Sequence, residues 1–303
     1  MNAHKIILVR PGHFGYNPET AHNNVFQHRT QASMVQVQNR VKKEFENFAE
    51  MLQQVGIHVD ILDDDPKEQR LDAIFPNNWF TTHPNGTFIT YPMYAPIRRI
   101  ERDPSHIQRI LKQYRVTCHI ALEHYESENM FLEGTGSLII DHEYGIVYAN
   151  RSPRTHEIPF QRFCQLMGYV PVLFDARDEN GIPVYHTNVV MGIGKGFIII
   201  NRSAVAREDW PRLEYYFHTT HKNVITISQD QMKNFLGNIA FLVNSKDEPF
   251  IVMSDSAFHA LEDHQYRELT KYGTLLHSNI ATIERIGGGS AKCMIAENYL
   301  NRR

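Results

Sequence analysis

The sequence predicts an α/β or α+β fold in one continuous domain, 1–303, and three observations carry that prediction. Short apolar strand-like runs alternate with amphipathic helical stretches along most of the chain. Residues 137–140 and 145–148 flank a polar turn, Asp141-His142-Glu143-Tyr144, as a hairpin does. Hairpins among short strands argue against a purely parallel, doubly wound sheet. Finally, no segment rich in Pro, Gly or Ser divides the 303 residues, a length that can bury a substantial core.

In order, Lys5-Ile6-Ile7-Leu8-Val9-Arg10 reads as a buried strand stopped by Pro11-Gly12. A polar loop through Asn17-Pro18 and Asn23-Asn24 follows. From about 31 to 55, Met34, Val35, Val41, Phe45, Phe48, Met51 and Leu52 fall at helical spacing, and Gly56 is the stop. Strands are expected at 58–62, 87–91, 184–190, 196–200, 223–227, 239–243 and 250–253. Helices are expected at 105–114, 159–167, 210–217 and 230–236. Residues 254–272 read as one long amphipathic helix with Ser256 as its cap.

Composition narrows the function classes. A net charge of −3 gives no basic surface for nucleic acid. No apolar run is long enough to span a bilayer, and the N-terminal residues run straight into a strand without a signal-peptide layout. Three widely spaced cysteines, Cys118, Cys164 and Cys293, argue for free thiols and a cytoplasmic setting. Despite 17 histidines there is no His-Glu-x-x-His and no Cys-x-x-Cys, so neither a metal nor another cofactor is expected.

Four stretches put polar residues among apolar ones. Phe75-Pro76-Asn77-Asn78-Trp79-Phe80 holds two amides between aromatics, a pattern that an Asx-type turn also explains. In Met130-Phe131-Leu132-Glu133-Gly134 an acid interrupts an apolar strand-like run and needs a partner. In Val184-Tyr185-His186-Thr187-Asn188-Val189-Val190, a strand would point His186 and Asn188 to one face. Gly287-Gly288-Gly289-Ser290-Ala291-Lys292-Cys293-Met294 sets a cysteine four residues after three glycines, whose backbone freedom permits close approach to a ligand. Each alone is more simply a turn or a core residue. Together, Cys293, His186 and Glu133 have the three residue types of a thiol nucleophile, its acid/base and an orienting carboxylate.

Those stretches, with Ser152-Pro153-Arg154-Thr155, resemble the guanidino-group-modifying superfamily of arginine deiminases, dimethylarginine hydrolases and amidinotransferases. The branch most similar is the citrulline-utilisation hydrolases (citrulline ureidases). The marks keep the family's order from residue 10 to 294. The resemblance implies a pentein-type α/β propeller: five ββαβ-like units around a central active site. It implies Cys293 as nucleophile, His186 as acid/base, Glu133 as its orienting group and Arg154 as anchor for the substrate α-carboxylate. Arg98 or Arg99 would be a second anionic anchor, since a planar guanidinium matches a carboxylate.

The sequence departs from the arginine deiminases at two positions. Those enzymes carry aspartates where this chain has Asn78 and Asn188, and the carboxylates grip the cationic guanidinium. Two neutral amides favour a neutral ureido group, because an amide offers both a donor and an acceptor. Asp72, Asp141, Asp255 and Glu297 are the carboxylates that can stand in from elsewhere. The leading expectation is therefore a cysteine hydrolase that converts a small amino-acid substrate, citrulline, to ornithine, carbon dioxide and ammonia. The alternatives are a deiminase, dimethylarginine hydrolase or amidinotransferase acting on a guanidino group, or a non-catalytic binding protein on the same fold. A homo-oligomer is left open.

Overall fold

The apolar runs Ile6–Val9 and Phe197–Ile200 lie in strands with a partner on each side. β1 (Lys5–Arg10) pairs in parallel with β2 (His58–Asp63) in the computed structural model, which describes residues 3–303. The connection between them is the helix Met34–Gln54. Ser33 starts it in a capping box with Gln36, and Val37, Val41, Phe45, Phe48 and Leu52 lie on its buried face.

The same plan repeats four times, each time as a hairpin, a crossover and a parallel outer strand. β3 (Phe80–Thr82), β4 (Thr87–Thr90) and β5 (Cys118–Ala121) form blade two. β6 (Ile139–Asp141), β7 (Ile146–Asn150) and β8 (Val170–Phe174) form blade three. Blade four is β9 (Met191–Gly194), β10 (Phe197–Ile200) and β11 (Asn223–Thr226). Blade five is β12 (Ala240–Val243), β13 (Pro249–Ser254) and β14 (Thr274–Ser278). Last, β15 (Ala296–Asn298) returns antiparallel to β1 and completes blade one. The hairpin's first strand is the inner one: β15 contacts β3, and β9 contacts both β6 and β12. The outcome is the five-unit α/β propeller that the resemblance implied, built from five three-stranded mixed sheets.

Several local readings change. Residues 184–190 are not a strand: His186 is extended, Thr187–Val190 make one helical turn, and the strand begins at Met191. Their β-branched side chains fill the core at the head of an inner strand, a position that rewards apolar volume whatever the backbone does. Glu133 likewise ends no strand; it precedes the one-turn helix Gly134–Ser137. Residues 254–272 form two short helices, Asp255–His259 capped by Ser254 and Asp263–Leu269 opened by a Glu262–Gln265 capping box. Helix Ala281–Gly287 and strands β3, β5, β8, β14 and β15 have no counterpart in the sequence reading.

Candidate active site

The turn leading into each inner strand delivers one polar side chain to a common point: Asn78, Glu133, His186, Asn238 and Cys293, one per blade. All five are buried. Chain approaches here are close, and Gly136 shows why the site needs a glycine. A Cβ there would stand 2.5 Å from Asn78 Nδ2 and 2.7 Å from His186 Cε1. Gly288 is the left-handed cap (φ 65°) of Ala281–Gly287, and its carbonyl accepts from Tyr185 Oη (2.5 Å) and Asn24 Nδ2 (3.1 Å).

Glu133 is the electrostatic hub. Its Oε2 accepts from His186 Nε2 at 2.8 Å and lies 3.6 Å from Arg154 Nη1 and 3.9 Å from Arg98 Nη1. Its Oε1 accepts the Tyr94 N–H at 3.0 Å. Burial disfavours the carboxylate, but Arg154, the His186 bond and Arg98 outweigh it and hold Glu133 down to about 2. Burial, reinforced by the two guanidinium groups, pushes His186 down to about 4 despite Glu133. A neutral imidazole beside an ionised carboxylate donates from Nε2, which leaves Nδ1 as an acceptor. Arg98 makes a bidentate pair with Glu101 (both 2.8 Å) and donates from Nη1 to Asn78 Oδ1 (2.8 Å).

Cys293 lies across the same cavity from His186, and no hydrogen bond joins them among the described residues. Burial pushes its thiol up, opposed by the Ser290 backbone, by amide contacts from Asn238 and Asn188 and by the charge of Lys292. The sulfur accepts from Asn188 Nδ2 at 3.4 Å and from Asn238 Nδ2 at 3.3 Å.

Among the described residues, three buried polar atoms in this group have no partner: Asn78 Nδ2, Asn188 Oδ1 and Asp72 Oδ1. Asp72 lines the cavity, with its Oδ2 on Asn17 Nδ2 (2.6 Å) and 3.6 Å from Arg98 Nε; burial pushes its carboxyl upward. Of the four stand-in carboxylates it is the one brought to the site. Asp141 and Glu297 line a separate axial cavity of about 70 Å³, paired with Lys222 and Lys292, and Asp255 pairs with His277.

Of the two arginines left open by the sequence, the structure brings Arg98 to the cavity and not Arg99. Arg99 donates to the Met93 carbonyl, sits 3.3 Å from Glu126 and covers Phe131. Consecutive residues of the turn Pro96–Glu101 point to different sides, so only one can face inward. Arg154 also reaches the cavity, stacked over Tyr185 at 4.9 Å.

A segment at the N-terminal end covers the cavity. Thr20 O and Asn23 Oδ1 accept from the Arg154 fork, Asn24 bonds Gly288 O, and Gln27 Nε2 bonds Gly287 O at 2.8 Å. The cavity is about 10 Å³, room for one water and not for an amino acid. The sequence reading missed Asn238 and this cover; Gly237-Asn238 and Asn23-Asn24 carry no signal beyond that of ordinary turns. Among the described residues no His, Cys, Asp and Glu cluster is arranged to hold a metal ion, and no helix is long and apolar enough to cross a membrane.

By sequence, residues 10–300 match the family profile described as N,N dimethylarginine dimethylhydrolase, eukaryotic. No curated protein matches by sequence. The N-terminal domain of ArgZ, an arginine dihydrolase of the ornithine–ammonia cycle in Cyanobacteria, is similar as a cysteine-to-serine mutant bound to substrate. It is 15% identical with a TM-score of 0.74, over 98% of this chain and 97% of that domain. Unliganded AgrE is 16% identical with a TM-score of 0.74, over 98% of this chain and 39% of that one. DDAH from Pseudomonas aeruginosa, a cysteine-to-serine mutant complexed with citrulline, is 11% identical with a TM-score of 0.66, over 98% of this chain and 100% of that one. The chain spans about two fifths of the longer ArgZ and AgrE chains. The fold shared with ArgZ and DDAH is the pentein propeller.

Proposed function

The chain belongs to the N,N dimethylarginine dimethylhydrolase family, and from that premise we propose that it is a cysteine-dependent hydrolase of a ureido amino acid, with citrulline as substrate. In this proposal residues 1–303 act as one catalytic domain in a cytoplasmic setting, and the chain falls in the citrulline-utilisation branch. The observation that carries it is the pair of neutral amides around Cys293. Asn78 Nδ2 is an unpaired buried donor and Asn188 Oδ1 an unpaired buried acceptor, which suit the carbonyl oxygen and the N–H groups of a ureido substrate. Arg154 and Arg98 would take the α-carboxylate, Arg154 after Asn23 releases its fork. The unpaired oxygen of Asp72 would accept from the α-ammonium group.

The chemistry then follows. Cys293 Sγ bonds to the ureido carbon and its proton passes to His186 Nδ1. The C–N bond to the side-chain amine breaks as His186 returns that proton to the amine, which leaves ornithine and a carbamoyl group on Cys293. Glu133 holds the ring's Nε2–H and stabilises the imidazolium while it lasts. Water, deprotonated by His186, attacks the carbamoyl carbon and expels the thiolate. The carbamic acid released breaks down to carbon dioxide and ammonia.

A second reading is favoured by one observation: Asp72 brings a carboxylate to the cavity that a guanidinium can use in place of the missing aspartates. On that reading the substrate is arginine or a methylated arginine, attacked by the same sulfur. A substrate panel separates the two. Purified protein offered citrulline, arginine and N,N-dimethylarginine should release ornithine from citrulline and leave the guanidino compounds nearly untouched. Efficient formation of citrulline from either guanidino substrate, with citrulline itself inert, refutes the ureido assignment.

A further inference from the structure

Four of the five turns that meet at the cavity supply side chains to the reaction proposed above; blade five supplies Asn238, which that scheme leaves without a role. Asn238 is fully buried, and both ends of its amide are engaged. Its Oδ1 accepts the backbone N–H of Lys292 at 3.0 Å, and its Nδ2 donates to the backbone carbonyl of Asn188 at 3.0 Å. An N–H needs the oxygen and a carbonyl needs the nitrogen, so the two backbone groups leave the amide one orientation. In that orientation its second N–H meets Cys293 Sγ at 3.3 Å.

No cation does this job. Lys292, the adjacent residue, turns its Nζ away to Thr135 Oγ1 (3.4 Å) and Glu297 (3.6 Å). Among the described residues, the other charged or titratable groups facing Cys293 are Asp72, Arg98, Arg154, Tyr185 and His186 across the cavity, and none hydrogen-bonds to the sulfur. As a thiol, Cys293 can donate to Asn238 Oδ1 (3.7 Å); as a thiolate it has lone pairs for both amide N–H groups. We propose that Asn238 is a positioning residue for the nucleophile, locked by two backbone groups so that its N–H holds the Cys293 sulfur as it becomes a thiolate. The proposal rests on Cys293 being the nucleophile. It differs from a merely structural role, in which Asn238 ties the Asn188 turn to the Lys292 turn and leaves the sulfur indifferent.

Titration of thiolate ultraviolet absorbance against pH, with the matching Cys293→Ser protein subtracted, tests it without substrate. In Asn238→Asp, which keeps size and an oxygen for the Lys292 N–H but loses the donor, the Cys293 ionisation midpoint should rise by about one unit or more. That is about tenfold less thiolate at a given pH below the midpoint. Asn238→Ser keeps a shorter donor and should shift it less, which covers the case in which the aspartate variant does not fold. Turnover should fall through kcat while KM stays close to that of the unaltered protein. A midpoint unmoved in a folded variant overturns the proposal, whatever its melting temperature does. Because the titration uses no substrate, it can fail while citrulline turnover stands, and it can succeed if citrulline proves the wrong substrate.

Discussion

Replacing Asn78 by Asp tests the amide logic with the least disturbance to the fold. The side chain stays isosteric, and the oxygen that accepts from Arg98 Nη1 at 2.8 Å is retained. Arg98 already holds Glu101 through two bonds, so one more carboxylate leaves its position unchanged. The change is at the other atom, where an unpaired N–H donor becomes an acceptor oxygen. A ureido oxygen that took that N–H would lose a buried hydrogen bond and face a carboxylate. The cost is about 2 kcal/mol or more in the transition state, or about thirtyfold in kcat/KM. The assay is ornithine release from citrulline by wild type and variant, with thermal melts to show that both are folded. A folded Asn78→Asp protein with wild-type kcat/KM on citrulline would refute the reasoning and return Asn78 to the role of a turn residue.

Other predictions concern the triad, the cover and acid stability. Cys293→Ala should abolish turnover while leaving the melting curve nearly unchanged, and Glu133→Gln should cost less than His186→Ala, because an orienting group is partly replaceable; the reverse order in kcat would exclude Glu133 from that role. Removing the tether Gln27 Nε2 to Gly287 O with Gln27→Ala should loosen the cover by about 1 kcal/mol and speed iodoacetamide labelling of Cys293 about fivefold; an unchanged rate would contradict a cover that gates access. Burial lowers His83 to about 3, and His142 and His186 each to about 4, so all three stay neutral in the folded chain at pH 5, whereas an unfolded histidine protonates near 6.5. The unfolded state therefore binds more protons below that value: stability is full above about pH 6.5 and is lost as pH falls toward 4, by several kcal/mol in total. Urea midpoints should drop between pH 7 and 5, and a flat profile would contradict buried neutral histidines.

What the sequence discloses follows from where each element sits. Central strands such as Ile6–Val9 and Phe197–Ile200 are covered on both faces, so their apolar runs are continuous and legible. The outer strand Cys118-His119-Ile120-Ala121 is short and has three exposed residues of four, and no periodicity marks it. The run at 184–190 misleads because burial, not backbone conformation, selects Val189 and Val190. The 254–272 stretch misleads because Glu262 restarts a helix that composition alone would continue. At the site, Cys293, His186 and Glu133 are legible only as a set, through family motifs. Asp72 and Asn238 are brought in by the propeller's geometry, from turns remote in sequence, and nothing local distinguishes them from other turn residues.

The covalent step on a neutral substrate is the centre of this account, and acid-quenched turnover followed by mass spectrometry of the Cys293 peptide reads it directly. With citrulline, a carbamoyl adduct is expected on Cys293 alone, absent from Cys118 and Cys164 and absent in Cys293→Ser. A thiouronium adduct that retains the ornithine moiety, formed on Cys293 from arginine or dimethylarginine as ammonia or dimethylamine leaves, with no adduct from citrulline, would contradict it.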